Sequence, residues 1–100
     1  MTLIYITCRN EEEAAKISKH LLSKRLIACS NIHLVRSMYW WNKKIEDIKE
    51  SVITAKTKEK NYKKIKEEVK KIHSYKIPCI LKINAEANES YEKWVNEEVK

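Results

Sequence analysis

Glycine is absent from the 100 residues of this chain, and that absence excludes several classes of site. Without glycine there is no phosphate-binding P-loop, no dinucleotide-binding fingerprint and no glycine-hinged catalytic loop. Proline occurs only at Pro78. No apolar run is long enough to cross a bilayer, so we expect no membrane span.

Cysteine is also scarce, and Cys8, Cys29 and Cys79 include no Cys-x-x-Cys pair. Three thiols at wide spacing argue against a disulfide framework. The N-terminal residues 1–7 have no basic region and no small-residue cleavage site, so they predict a first strand rather than a signal peptide. We therefore predict a cytoplasmic protein with reduced thiols, each a small buried hydrophobe by default.

The chain is basic, with a net charge of +7. Such a charge could attract nucleic acid or an acidic surface. However, lysines are interleaved with glutamates, as at 58–60 and 66–68, which favours a solvated, ion-paired helix face. Abundant lysine, glutamate and isoleucine would suit a heat-stable protein, although codon bias could produce the same composition.

Hydrophobic periodicity predicts one domain over residues 1–100. Asn10 and Glu13 have the spacing of a capping box, and the helix that they begin should end near Lys24 or Arg25. The other predicted elements are strands over Leu3–Thr7, Ile27–Trp41, Ile45–Thr57 and Ile77–Ile83, a helix over Lys58–His73, and a last helix capped by Asn88 with Trp94 in the core.

The resulting order, β-α-β-β-α-β-α, predicts an α+β fold of the ferredoxin-like type, with four antiparallel strands and the helices on one face. Its central hairpin has arms of about 14 residues, or roughly 45 Å when extended. A compact domain of this length is only about 33 Å across, so the hairpin should project. Because Tyr39, Trp40 and Trp41 lie near its tip, we expect neighbouring subunits to bury it.

Motifs along nearly the whole chain resemble those of the CutA family, in the same order. The sequence RLIACSNI at 25–32 is similar to the family's RLAACVNI. Further likenesses are SMYWW at 37–41 to S-x-Y-x-W, NKKIE at 42–46 to W-x-G-x-I-E, KT at 56–57, HSYKIP at 73–78 to H-x-Y-x-x-P, and YEKWV at 91–95 to Y-x-x-W.

The resemblance implies a ferredoxin-like domain assembled as a tight homotrimer and a role in tolerance to divalent metals. Copper binding and a likeness to the PII signalling proteins are also family properties. Three positions depart from the family pattern: Asn42 replaces the turn glycine, His33 replaces a proline, and Cys79 replaces the glutamate that usually follows Pro78. The last two departures touch positions that could hold a metal.

Cys29 matches a family cysteine, and its thiolate would suit copper(I) or zinc. His33 lies four residues further on and would share its face of a strand. The two Cβ atoms would be about 13 Å apart, so one ion could join them only through a bulge or another chain. Buried packing of Cys29 and a solvated His33 are the alternatives, while Cys8 and Cys79 rank lower and His20 should be solvated.

Six residues are predicted to form a cleft between subunits. Tyr39 and Trp41 alternate on one strand face, and Glu50 shares that face on the next strand. The alternative for Tyr39 and Trp41 is simple packing in an interface. The alternative for Glu50 and Lys56 is surface ion pairing, and His73 could instead be a histidine stabilised by the C-terminus of a helix. The predicted cleft residues are Tyr39, Trp41, Glu50, Lys56, His73 and Tyr75.

No nucleophile–base pair is visible, so we predict that the protein is not an enzyme. The leading hypothesis is a homotrimer that responds to copper or another divalent metal and binds metal or a small ligand between subunits. A PII-like signalling scaffold and a basic nucleic-acid-binding module are the alternatives, and the second would depend on the lysine-rich helix at 58–73.

Overall fold

A computed structural model describes residues 1–100 and confirms the predicted α+β, ferredoxin-like order. The four strands form one antiparallel sheet in the order β2-β3-β1-β4. No helix is long and apolar enough to span a membrane. The elements are β1 (Thr2–Cys8), α1 (Glu11–Ser23), β2 (Cys29–Trp41), β3 (Lys44–Thr57), a 3₁₀ turn (Glu59–Asn61), α2 (Tyr62–Ile72), β4 (Ile80–Asn84) and α3 (Glu89–Glu98).

The first strand and helix form as their sequence pattern predicts. Ile4, Ile6 and Cys8 alternate along β1 and are fully buried. The Asn10 side chain accepts a hydrogen bond from the Glu13 amide at 2.8 Å, as a capping box requires. The Glu13 carboxylate accepts from the Arg9 amide at 2.9 Å, so the turn between β1 and α1 is fixed from both sides.

The two faces of the sheet are covered differently. Helices α1 and α2 bury the face that carries Ile4 and Ile6, in a core with Ile17, Ile65 and Val69. The prediction that all helices lie on one face is wrong for α3. This helix reaches the opposite face, because the Tyr91 hydroxyl contacts the Cys29 Sγ at 3.6 Å and Cys29 lies in register with Lys56 and Leu3.

The last helix also buries fewer side chains than its sequence predicts. Val95 is fully buried and Val99 nearly so. Trp94, which was expected in the core, is 39% exposed, and its ring packs against that of Tyr91 with centroids 5.6 Å apart.

The hairpin of β2 and β3 projects from the sheet, as its length predicts. Of the residues of β3, only Ser51–Thr57 pair with β1. Residues 44–50 of β3 therefore have β2 as their one neighbouring strand. The molecule measures 45 × 26 × 21 Å. Asn42 and Lys43 make the turn with φ of 49° and 64°, the positive values that a two-residue hairpin turn requires and that asparagine tolerates.

A buried carboxylate organises the charged face of α1 and α2. Glu68 is only 4% exposed, and its oxygens lie 2.8 Å from His20 Nε2 and 3.1 Å from Lys71 Nζ. Lys64 and Lys24 lie within 3.7 Å. The predicted ion-paired face is therefore present, but His20 is held by Glu68 rather than free in solvent. Hydrogen bonds from His20 and Lys71 lower the pKa of Glu68 to about 2.

We expect the substitution Glu68→Gln to flatten the acid dependence of stability. A carboxyl group with an ordinary pKa of 4.5 and a folded pKa of about 2 stabilises the fold above pH 4.5 and loses that contribution as the pH falls towards 2. Urea unfolding at several pH values measures the effect, with the exposed Glu67→Gln as control. An unchanged acid slope in the Glu68 variant would contradict the assignment.

Candidate functional site

A cleft opens where the projecting hairpin leaves the sheet. Its volume is about 520 Å³, which is within the usual range of small-molecule sites. One wall comes from the hairpin, the floor from the end of β1, and the other wall from the loop after α2. The lining residues are Thr7, Tyr39, Trp41, Glu46, Glu50, Ser74, Tyr75, Lys76 and Ile77.

Strand register explains why the hairpin residues meet there. Tyr39 pairs with Glu46 and Trp41 pairs with Lys44, so odd positions of β2 and even positions of β3 share a face. Glu50 lies four residues beyond Glu46, which is two side-chain repeats further along the same face. The structure thus brings together four of the six predicted cleft residues: Tyr39, Trp41, Glu50 and Tyr75.

Glu50 is the central charge of the cleft and is only 4% exposed. The Tyr75 hydroxyl donates a hydrogen bond to its Oε2. Burial, this hydrogen bond and the Glu50 charge together raise the pKa of Tyr75 above its ordinary value. Burial and the charges of Glu50 and Glu46 also raise the pKa of Tyr39. Both phenols therefore stay protonated in neutral solution.

His73 supports the cleft from behind and is not part of its lining. Its Nε2 donates to the Thr7 carbonyl at 2.8 Å, and its Nδ1 accepts from the Tyr75 amide at 3.0 Å. The imidazole and phenol rings also pack, with centroids 5.0 Å apart. His73, which was predicted as a cleft residue, therefore lies behind the lining in a single chain and positions Tyr75.

Lys56 does not reach the cleft, contrary to its predicted place there. It pairs with Cys29, six residues along β3 from Glu50, or about 20 Å away. Its ammonium donates to the Asn31 side chain. Lys56 and Glu50 do share a face, but shared parity says nothing about distance along a strand of 14 residues.

Cys29 and His33 remain apart on β2. Four residues of extended strand separate them, about 13 Å, and no bulge interrupts the register from Cys29 to Trp41. Cys29 contacts the Tyr91 hydroxyl instead, and His33 is exposed. Within one chain, this predicted metal pair does not form.

A different group of three metal-ligand types does come together. Cys8, Glu13 and His73 each place one ligand atom within 4.8 Å of the others. Burial, with the nearby Glu13 and Glu50 charges, raises the pKa of the Cys8 thiol to about 12. Although burial opposes it, hydrogen bonds from Arg9 and Ser74 lower the pKa of Glu13. Cys8 was expected to have no neighbouring metal-ligand residue, and the fold supplies two, Glu13 from the next turn of the chain and His73 from 65 positions further on.

The sequence pattern did contain signals for the residues that were missed. Glu46 has the parity of Glu50 and lies opposite Tyr39, so a register count from the 42–43 turn would have placed it in the cleft. Lys76 and Ile77 follow Tyr75 directly. Glu13 was recognised only as a capping residue, although a carboxylate just after a buried cysteine could also serve a site.

Comparison with known proteins gives a family for this fold and cleft. The model of the family described as CutA1 divalent ion tolerance protein matches residues 2–98. The divalent-cation tolerance protein CutA of Pyrococcus horikoshii is 43% identical over 101 residues, which cover 100% of this chain and 99% of that protein. This chain belongs to the CutA1 divalent ion tolerance family.

Solved structures agree with this assignment. A crystal structure of CutA1 from Pyrococcus horikoshii matches with a TM-score of 0.95 and 42% identity, covering 100% of this chain and 99% of that one. The CutA of Archaeoglobus fulgidus, which is described as periplasmic, matches with a TM-score of 0.95 and 40% identity, with 100% of both chains covered. The CutA1 resemblance read from the motifs is therefore confirmed, and tolerance to divalent cations is the family's role.

We expect Glu50→Gln to lower the pKa of Tyr75 towards its ordinary value, because the variant removes the negative charge that opposes phenolate formation. Ultraviolet titration of the tyrosines measures the shift, and loss of the transition in Tyr75→Phe assigns it. A Tyr75 transition at the same pH in wild type and Glu50→Gln would show that the two groups are not electrostatically linked.

Proposed function

We propose that this protein acts as a homotrimer that responds to divalent metal, copper above all, by binding the ion directly and without catalysing a reaction. The observation that carries the metal part is the meeting of Cys8, Glu13 and His73 where β1, α1 and the loop after α2 adjoin. The trimer part is supported by the exposed apolar surface of the hairpin.

The donor set suits copper or zinc. A thiolate, an imidazole nitrogen and a carboxylate oxygen are ligand types that these ions take, and three protein ligands leave a further position open. Two changes would accompany binding. Cys8 would lose its proton, and the ring nitrogen of His73 that bound the ion would give up its present partner, the Thr7 carbonyl for Nε2 or the Tyr75 amide for Nδ1. Metal binding would therefore compete with an existing hydrogen bond.

The Cys29/His33 pair remains a hypothesis that needs more than one copy of the chain. Each residue offers a single ligand on the open face of the sheet, and the strand keeps them apart. A neighbouring copy would have to supply the missing ligands. The Cys8 group has no such requirement, and for this reason we favour it.

Assembly is supported by the apolar side chains on the projecting hairpin. Leu34, Met38, Trp40 and Ile45 share one of its faces, and Trp40 is 71% exposed. A single copy has no element to cover them, because α1 and α2 lie over the other end of the sheet. Burying large apolar side chains stabilises a protein by about 1.5–3 kcal/mol each. Neighbouring copies that cover this face would gain that energy.

Two finer properties are proposals as well. A cytoplasmic location suits the three free cysteines, and fractionation tests it against the periplasmic description of the Archaeoglobus fulgidus relative. Heat stability is consistent with the ion-pair network around Glu68.

The nucleic-acid alternative gains no support, since Lys64 and Lys71 of α2 are paired with Glu68.

We expect Cys8→Ser and His73→Ala each to weaken copper or zinc binding by at least about tenfold, because each removes one ligand from the site. Calorimetry gives the affinity, and native mass spectrometry gives the number of ions per chain. Cys29→Ala is the matched control and should bind as wild type does. Loss of binding in Cys29→Ala with retention in Cys8→Ser would favour the Cys29/His33 hypothesis instead.

We expect wild type to have the mass of a trimer at micromolar concentration and Trp40→Glu to dissociate into monomers, because the variant places a charge in the proposed interface. Light scattering measures both masses. Lys63→Glu, on the exposed side of α2, is the control and should remain assembled. A monomeric wild type would refute the assembly.

A further inference from the structure

Glu50 presents an unusual electrostatic situation. Its side chain is more than nine-tenths buried, yet no lysine, arginine or histidine nitrogen lies within 4.0 Å of its carboxylate. Glu68, which is equally buried, has four such partners. Buried charges are normally paired, because removing them from water is costly. Glu50 lacks the partner that its burial calls for.

One carboxylate oxygen of Glu50 has no partner, and it indicates where a positively charged group could bind. Oε2 accepts the Tyr75 hydroxyl, while Oε1 receives no hydrogen bond from the chain. The Ser51 hydroxyl is the one fully buried side-chain oxygen that has no hydrogen-bond partner. Glu50 Oε1, which also has no partner, is therefore not fully buried. Because Glu50 lines the cleft, a molecule bound there could reach its unpaired oxygen. An occupant with a positive charge and an N–H donor would satisfy it.

The rest of the lining favours an organic cation over a metal ion. Tyr39 and Trp41 offer aromatic rings, which attract weakly hydrated cations through their faces. Glu46 adds a second carboxylate, and Lys76 is the one cationic residue of the lining. A magnesium or calcium ion requires about six or more oxygen ligands, whereas this lining has only two carboxylates, Glu46 and Glu50, beside a lysine.

We propose that this cleft binds a small organic ammonium compound, with its N–H group on Glu50 Oε1 and its hydrocarbon body against Tyr39 and Trp41. The inference rests on the proposed function, since the cleft must stay open when the chain assembles as a trimer. It deepens that function by naming a class of ligand for the cleft. It uses none of the three donors of the Cys8 metal group, although His73 contacts both places and the Glu50 charge acts on the Cys8 thiol. A cavity of about 520 Å³ admits a molecule with one aromatic ring and a short aminoalkyl chain.

Phenethylamine and phenethyl alcohol form a matched pair of probes, since they share shape and differ in charge. We expect calorimetry on wild type to show phenethylamine binding at least about tenfold more tightly, from the charge-assisted hydrogen bond to Glu50. Glu50→Gln should remove this preference, and the distant Glu67→Gln should keep it. Lys76→Ala should strengthen amine binding, because it removes the opposing charge.

Equal affinity for amine and alcohol in wild type, or a preference for amine that survives in Glu50→Gln, would overturn the proposal. Preferential uptake of magnesium over phenethylamine at this cleft would also overturn it. Native mass spectrometry on the same samples measures the oligomeric state, so the assembly hypothesis and the amine-binding hypothesis can be judged separately. A trimer without amine preference refutes this inference alone, and a monomer that prefers the amine through Glu50 refutes the assembly alone.

Discussion

The unequal lengths of β3 and β1 determine most of what is distinctive in this molecule. β3 has 14 residues and β1 has seven, so half of β3 has a neighbour on one side only. That half carries the hairpin beyond the helices that cover the sheet. The exposed apolar face and the cleft at the base of the hairpin both follow from this single mismatch.

The cleft depends on the point at which β1 ends. There the chain turns into α1 through the Asn10 and Glu13 cap, and the loop after α2 returns across the same end of the sheet. His73 fastens that loop to Thr7, which places Tyr75 over Glu50. One short stretch of backbone therefore supports both the donor group around Cys8 and the aromatic cleft.

Glu68 and Glu50 are equally buried carboxylates with opposite electrostatic surroundings. Glu68 is surrounded by lysines and His20, which stabilise its ionised form and tie α1 to α2. Glu50 has a phenol and aromatic rings around it and no cationic nitrogen within 4.0 Å. A carboxylate that serves the fold is paired within the chain. One left without a counter-charge beside an open cleft is available to a ligand.

Local pattern determined the order of the elements, because strand alternation, helical spacing and the Asn10 cap are written in neighbouring residues. The hairpin projection followed from arm length alone, and the family followed from its motifs. Parity along β2 and β3 also placed Tyr39, Trp41 and Glu50 on a common face. These features depend on contacts that are short in sequence, or on simple counting along a strand.

Tertiary structure alone decided which of these residues meet. Counting along β3 would already have placed Lys56 about 20 Å from Glu50, whereas only the structure shows that no bulge on β2 brings Cys29 and His33 together. Cys8, Glu13 and His73 are brought together by two chain crossings at one end of the sheet, and the exposure of Trp94 depends on where α3 lies. Such contacts join residues up to 66 positions apart, and the position of each element is set by packing against all the others.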